Sequence, residues 1–220
     1  MNRTLLITGG AGFIGSHLVL RLFERYPDYH FVNIDKLTYA SDESYLDSIR
    51  SSGRYTFAKV DLVNKADVTA VFEEHKPDGI IHLAAETHVD NSISGPEVFV
   101  YSNVVGTMNL LELARRTWAA GSANRFHHVS TDEVYGSAAP GSSFREDSPY
   151  SPNSPYSASK AASDHLVRAY HTTYGLNVVV TNCSNNFGPH QHDEKLIPTI
   201  VRNALQGKDI PIYGKGENVR

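Results

Sequence analysis

Short apolar runs alternate with longer stretches of helical period along the chain. Leu5–Thr8 reads as a strand and Phe13–Tyr26 as an amphipathic helix; His30–Ile34 is a second strand and Tyr45–Arg50 a short helix. Tyr55–Val60, Gly79–Leu83, Phe126–Ser130 and Asn177–Thr181 read as further strands. Between and after them the period predicts helices over Lys65–His75, Pro96–Ala119, Tyr156–Tyr174 and Leu196–Gln206, then a short strand at Ile210–Tyr213. Repeated β-α-β order predicts an α/β, doubly wound parallel sheet with helices on both faces over residues 1–182. Residues 183–220 then hold only the beginning of a smaller C-terminal domain. Ligands of such sheets bind beyond the carboxyl ends of the strands. The Ser-, Pro- and Gly-rich stretch Ala138–Pro155 is expected to be a long loop.

Composition narrows the class. The 220 residues carry a net charge of -4 with interspersed signs, so no basic face for nucleic acid is expected. The 11 histidines are scattered, without HExxH or paired Cys/His spacing, and no metal is expected. The lone Cys183 cannot form an internal disulfide and reads as a core thiol. No apolar run approaches the ~20 residues of a membrane span, and Leu5–Ile7 is too short for a signal peptide. A cytoplasmic protein is expected. The ending "YGKGENVR", with no closing helix or polar tail, suggests a cut from a larger protein.

"TGGAGFIGS" joins the first strand to the first helix and places Gly9, Gly12 and Gly15 three apart. Glycines there allow a sharp bend and close approach of a pyrophosphate, and the helix N-terminus favours its charge. Asp35 follows at the end of the second strand, about 20 residues past Gly15, where a carboxylate can accept from adenosine ribose hydroxyls and repel a 2′-phosphate. These features predict a Rossmann-like turn and NAD as cofactor, with adjacent Lys36 weakening the preference over NADP.

"YSASK" puts Tyr156 and Lys160 on one helix face. An ammonium there is expected to lower the phenol toward working pH, making Tyr156 a base for removing a hydroxyl proton during hydride transfer. "YTFAK" repeats the spacing at Tyr55 and Lys59, but on a strand, where the two side chains lie ~13 Å apart. "STDEVYG" then leaves Asp132 and Glu133 at the end of the fifth strand, where close carboxylates disfavour double ionisation and one can hold a proton. Adjacent residues of an extended segment point opposite ways, so both reach one substrate only if the backbone turns.

These residues resemble the extended short-chain dehydrogenase/reductase family. "DKLTYA" (35–40), "LAAETHVD" (83–90), "STDEVYG", "NCSNNFGPHQHDEKLIP" (182–198) and "PIYGKGENVR" (211–220) are similar in particular to the dTDP-glucose 4,6-dehydratases. The resemblance spans the chain and implies an NAD-dependent lyase. Tyr156, helped by Thr131 and Lys160, takes the C4 hydroxyl proton as NAD+ takes the hydride. Glu133 removes the C5 proton, Asp132 protonates the departing C6 hydroxyl, and hydride returns to C6.

The resemblance also implies cofactor contacts at Phe13 and Ile14 in the glycine turn, and at Asp35, Lys36, Leu37 and Thr38 beside adenosine. Asp61 and Leu62 match adenine contacts; Leu83, Ala84, Ala85, Glu86 and Thr87 match the strand passing the nicotinamide ribose; Ser102 and Asn103 lie near the site, and Asn186 matches a further cofactor contact. Substrate contacts are implied at Thr87, His88, Thr131, Asn185, Lys195, Leu196, Pro211, Ile212, Tyr213 and Arg220, of which Lys195 and Arg220 suit a diphosphate. His88 reads equally well as a loop histidine satisfied by backbone. Residues 183–220 match the start of a nucleotide-sugar-binding domain that continues in the family, so full activity of the 220 residues is doubtful. A homodimer through helices 96–119 and 156–174 is expected, with no nucleic-acid or membrane partner.

Two other functions fit parts of the pattern. An NDP-sugar epimerase or decarboxylase uses the same scaffold without needing the Asp-Glu pair in this form. A non-catalytic NAD sensor needs the glycine turn and Asp35 but not Tyr156, Lys160, Asp132 or Glu133.

Overall fold

The computed structural model describes residues 3–139 and 141–212. Six parallel strands form one sheet in the order β3-β2-β1-β4-β5-β6: β1 (Arg3–Thr8), β2 (Tyr29–Asp35), β3 (Tyr55–Lys59), β4 (Gly79–His82), β5 (Arg125–Thr131) and β6 (Val178–Cys183). The order reverses between β1 and β4, and a crevice for a ligand opens at such a point beyond the strand ends. Ile7 pairs with Asn33 on one side and Ile81 on the other, so β1 is central.

Alternate residues of the strands feed two cores. Leu6, Val32, Ile34, Ile80 and Phe126 pack with α3 (Lys65–His75), α6 (Gly106–Thr117) and α7 (Pro155–Tyr174). Ile7 and Phe31 pack on the other face with Val19 of α1 (Phe13–Arg25) and Ile49 of α2 (Asp47–Arg50). Burial on both faces is why strands such as Leu5–Ile7 read as unbroken apolar runs. The chain divides into two compact units, Met1–Asn186 and Phe187–Arg220, where the sequence alone set the division after residue 182.

Several elements differ from expectation. Residues 96–119 are not one regular helix: α5 (Glu97–Phe99) leads into a π-helical stretch, Val100–Val105, before α6. The short helix at 45–50 begins as a 3₁₀ turn, Glu43–Leu46. A further helix, α4 (Val89–Ser94), precedes α5; no strand forms over 210–212, and Tyr213 lies outside the described residues. The second unit carries α8 (Leu196–Leu205), none of whose residues is buried within it. The loop after β5 is anchored by a hydrogen bond from Ser151 N–H to the Val134 carbonyl and by Phe144 stacked on Tyr135 at 5.2 Å. No helix among the described residues is long and apolar enough to cross a membrane.

Candidate active site

The turn between β1 and α1 is built by close backbone packing. Gly9 sits at φ +73°, and a Cβ there would lie 2.7 Å from the Ala84 nitrogen. A Cβ on Gly15 would overlap the Gly9 carbonyl oxygen, whereas Gly12, which caps α1, meets that oxygen only at 3.4 Å. Asn33, not singled out in the sequence, supports the bend by accepting from Gly10 N–H at 3.0 Å. The first turn of α1 holds no acidic residue, so the positive end of its dipole is unopposed there. Phe13 packs edge-on against His17, and Ile14 is exposed.

On the expected adenosine side, Asp35 is buried, with one oxygen accepting from Ala11 N–H (3.1 Å) and the other from Leu37 N–H (2.9 Å). The carboxylate therefore first ties β2 to the glycine turn, and a ribose hydroxyl must use its remaining lone pairs. Leu37 adopts φ +57°, and Thr38 accepts from Ser41 N–H through its carbonyl. Lys36 is held by neighbouring side chains. Its Nζ lies 2.9 Å from Glu86 Oε1, 4.0 Å from Asp61 Oδ2, and donates to Ser102 Oγ at 3.1 Å. Leu62 is buried, and its carbonyl accepts from Asn109 Nδ2.

The segment after β4 runs beside this turn. Leu83 N–H bonds the Thr8 carbonyl, and Ala84 N–H bonds Thr8 Oγ1. Asn103 clasps Glu86, accepting from its N–H at 2.8 Å and donating to its carbonyl at 3.0 Å, and also donates to Ser159 Oγ. The π-helical turn carries Asn103, buried, into this position, as irregular turns at functional sites often do. Ala85 is half-buried and Thr87 exposed. His88 caps α4, its Nδ1 accepting from Asn91 N–H, as in the loop-histidine alternative.

The chemistry-bearing residues converge after β5. The backbone turns at Thr131 into a 3₁₀ helix, Asp132–Tyr135, so Asp132 and Glu133 leave the opposed geometry of a strand. Thr131 Oγ1 donates to Asp132 Oδ1 at 3.3 Å and accepts from Glu133 N–H at 3.2 Å. The Tyr156 phenol bonds Thr131, and both acids lie close enough to act on it electrostatically. Burial, then Glu133, raise the Tyr156 pKa, against the pull of the Thr131 hydrogen bond. The expected lowering by Lys160 is not the governing effect. Lys160 Nζ instead donates to the Val129 carbonyl at 2.9 Å, and burial lowers its own pKa to about 8. Cys183 is half-buried rather than sealed in the core, with Sγ 3.3 Å from the Ser130 carbonyl oxygen, and it acts electrostatically on both Tyr156 and Lys160. Tyr55 and Lys59 do lie on a strand, where Tyr55 bonds Asn33 instead.

Asn185 and Asn186 are exposed at the end of the first unit, Asn186 donating to the Ser184 carbonyl. In the second unit, Lys195 caps α8 and pairs with Glu194 at 3.6 Å; Leu196, Pro211 and Ile212 are exposed. Tyr213 and Arg220 lie outside the described residues. Among the described residues no cluster of three or more His, Cys, Asp or Glu could hold a metal ion.

The chain is similar to known proteins in sequence and fold. The chain is 52% identical over 230 residues to the dTDP-glucose 4,6-dehydratase of Salmonella typhimurium, covering 98% of this chain but 63% of that protein. The dTDP-glucose 4,6-dehydratase of Bacillus anthracis, solved in complex with NAD, is 44% identical with a TM-score of 0.87, over 98% of this chain and 66% of that one. The UDP-glucose 4-epimerase of Thermotoga maritima, solved with UDP-glucose, also superposes at TM-score 0.87, over 97% of this chain and 67% of that one, but at 27% identity. The chain thus spans about two thirds of the length of the proteins it matches. A family model described as GDP-mannose 4,6 dehydratase matches residues 6–220, and the chain belongs to that family.

Proposed function

We propose that this chain carries the cofactor-binding unit and the reacting side chains of an NAD-dependent dehydratase. The substrate is an NDP-glucose, dTDP-glucose foremost, and the product a 4-keto-6-deoxy sugar nucleotide. The observation that carries this reading is the grouping at one strand end of Tyr156, Thr131, Asp132 and Glu133. An epimerase needs a phenol and an ammonium; elimination of water also needs an acid and a base.

The glycine turn fits a dinucleotide. Gly9 and Gly15 are closed to any side chain by backbone, while a Cβ on Gly12, at the start of α1, would meet only the Gly9 carbonyl oxygen at 3.4 Å, so this end of the turn is the one a diphosphate could approach. Asp35, Leu62, Glu86 and Lys160 are the residues that would line the rest of it. A nicotinamide dinucleotide held there would supply the reversible hydride acceptance, from C4 and back to C6, that side chains cannot. Tyr156 takes the C4 hydroxyl proton as its phenolate, a form that burial and Glu133 disfavour and that Thr131 supports. The C4 ketone acidifies C5; Glu133 takes that proton, and Asp132 gives one to the departing C6 hydroxyl, which leaves as water. Glu133 then returns its proton to C5. A pair of groups with separated roles, one proton donor and one acceptor, suffices for the step.

Lys195 suits a substrate diphosphate. Exposed Val98, Val100, Tyr101 and Met108 along the helical run 97–117 favour a homodimer through these helices. Incubation with NAD+ and either dTDP-glucose or UDP-glucose tests the reading: a product lighter by one water, with a 4-keto group, is expected first from dTDP-glucose. A product of unchanged mass epimerised at C4 would replace this reading with the epimerase.

A further inference from the structure

Behind Tyr156 lies a set of buried ionisable groups that the chemistry above does not use. Tyr156, Lys160 and Asp164 stand one turn apart on α7 and so form one stripe of it. Lys160 and Asp164 are each 4% exposed and His128 of β5 is 0% exposed. Asp164 Oδ2 accepts from Ser130 Oγ at 2.7 Å and from Tyr150 OH at 2.9 Å, and Asn182 also bonds the carboxylate. Oδ1 lies 3.1 Å from His128 Nε2, out of line for a hydrogen bond, and has no other partner among the described residues. Lys160 Nζ lies 3.5 Å from the same His128 nitrogen.

An ammonium sealed from water gives up its proton unless a countercharge faces it. The titratable groups acting on Lys160 or in contact with it are His128 of β5, Cys183 of β6, His82 of β4 and Asp164 of α7 itself, with Tyr156 one helical turn away. Burial holds both histidines well below their usual range, so they are neutral and offer no compensation. Asp164 is the carboxylate of the set.

We propose that Asp164 is a positioning residue of the site: its buried carboxylate, held by Ser130 and Tyr150, keeps Lys160 an ammonium one helical turn from Tyr156. The loop 138–155 thereby has a part in the chemistry, because it delivers Tyr150. Burial lowers the Lys160 pKa to about 8 and Asp164 opposes that fall; reciprocally, burial raises Asp164, against the pulls of Ser130, Lys160 and Tyr150. The link to catalysis rests on the role given to Lys160 above; the electrostatic pairing does not.

The test is an NMR titration of the lysine ammonium in the full chain without ligand, with Lys160 assigned by its loss in Lys160→Met. Asp164→Asn keeps the volume and can still accept from Ser130 and Tyr150, but removes the charge. It is expected to move the Lys160 midpoint down from about 8 by at least about 1 unit. A midpoint within about 0.3 unit of the wild type overturns the proposal. Should Asp164→Asn not fold, Lys160→Met carries the reciprocal test: the Asp164 carboxyl midpoint must rise by at least about 1 unit, and no rise overturns the pairing. In the enzyme assay, Asp164→Asn is expected to move the basic limb of the C4 oxidation profile downward, with Asp164→Glu restoring it in part. A uniform loss at every pH would mean that Asp164 only packs. Absence of dehydration by the wild type would sink the functional reading and leave the titration standing.

Discussion

The two halves of the sheet handle charge in different ways. Beyond β1 and β2, Asp35 is satisfied by two backbone N–H groups, and Lys36 sits in a partly exposed cluster with Glu86 and Asp61. Beyond β5, Lys160 and Asp164 are buried beside two neutral histidines, and the pKa values of Tyr156, Lys160 and Asp164 are all displaced. A half that holds a ligand can spend its charges on fixing the backbone. A half that moves protons needs groups out of solvent, where small contacts move acidity by large amounts.

The widest gap between the halves is expected in rate. Tyr156→Phe removes the proton acceptor for the C4 hydroxyl and is expected to lower C4 oxidation by at least about 10³-fold, read as the first-turnover NADH absorbance. NADH forming at the wild-type rate would take Tyr156 out of the chemistry. Asp132→Asn is expected to leave that oxidation largely intact and slow elimination about 10²-fold, so that NADH accumulates transiently. Unchanged turnover would show that water departs without this acid.

The binding half breaks through packing instead. Gly15→Ala drives a Cβ into the Gly9 carbonyl oxygen and the Gly10 Cα, which side-chain repacking cannot relieve. A loss at the upper end of about 1–3 kcal/mol is expected by urea denaturation, together with a loss of NAD affinity by calorimetry. Unchanged values for both would mean that the turn has room the backbone positions deny it.

The same contrast marks what the sequence made legible. Gly9-x-x-Gly12-x-x-Gly15, the strand runs and Tyr156-x-x-x-Lys160 obey local rules of spacing, and the sheet and turn follow from them. Contacts between distant segments do not. Nothing in "DK" reveals that Asp35 turns back to the Ala11 amide or that Lys36 reaches Glu86 and Ser102. The extra width of the turn at Val100–Val105, which sends Asn103 inward to Glu86, leaves no mark on hydrophobic period. The turn at Thr131 that releases Asp132 and Glu133 from strand geometry was an open question, because its cap is a side chain and not a glycine. Asp164 did carry a signal: the helical stripe of Tyr156 and Lys160, extended by one turn, passes through it.

The smallest effect expected is thermodynamic and tests the chemical half without any ligand. The folded-state pKa of Lys160, about 8, lies below the ordinary lysine value of 10.5, so between these values the unfolded chain binds more protons than the native one. Stability then rises with pH across that window, because the native state sheds the cost of a buried ammonium that it bears in full below about 8. The tyrosines act in the opposite sense only above about 10, where Tyr150 and Tyr156, both raised in the fold, begin to ionise in the unfolded chain. Urea denaturation from pH 8 to 10 is therefore expected to show a gain on the order of 1–2 kcal/mol. Lys160→Met should lack it, while Lys36→Met, on the binding half, should keep it. A gain of equal size in all three proteins would place its source elsewhere and erase the electrostatic contrast between the two halves.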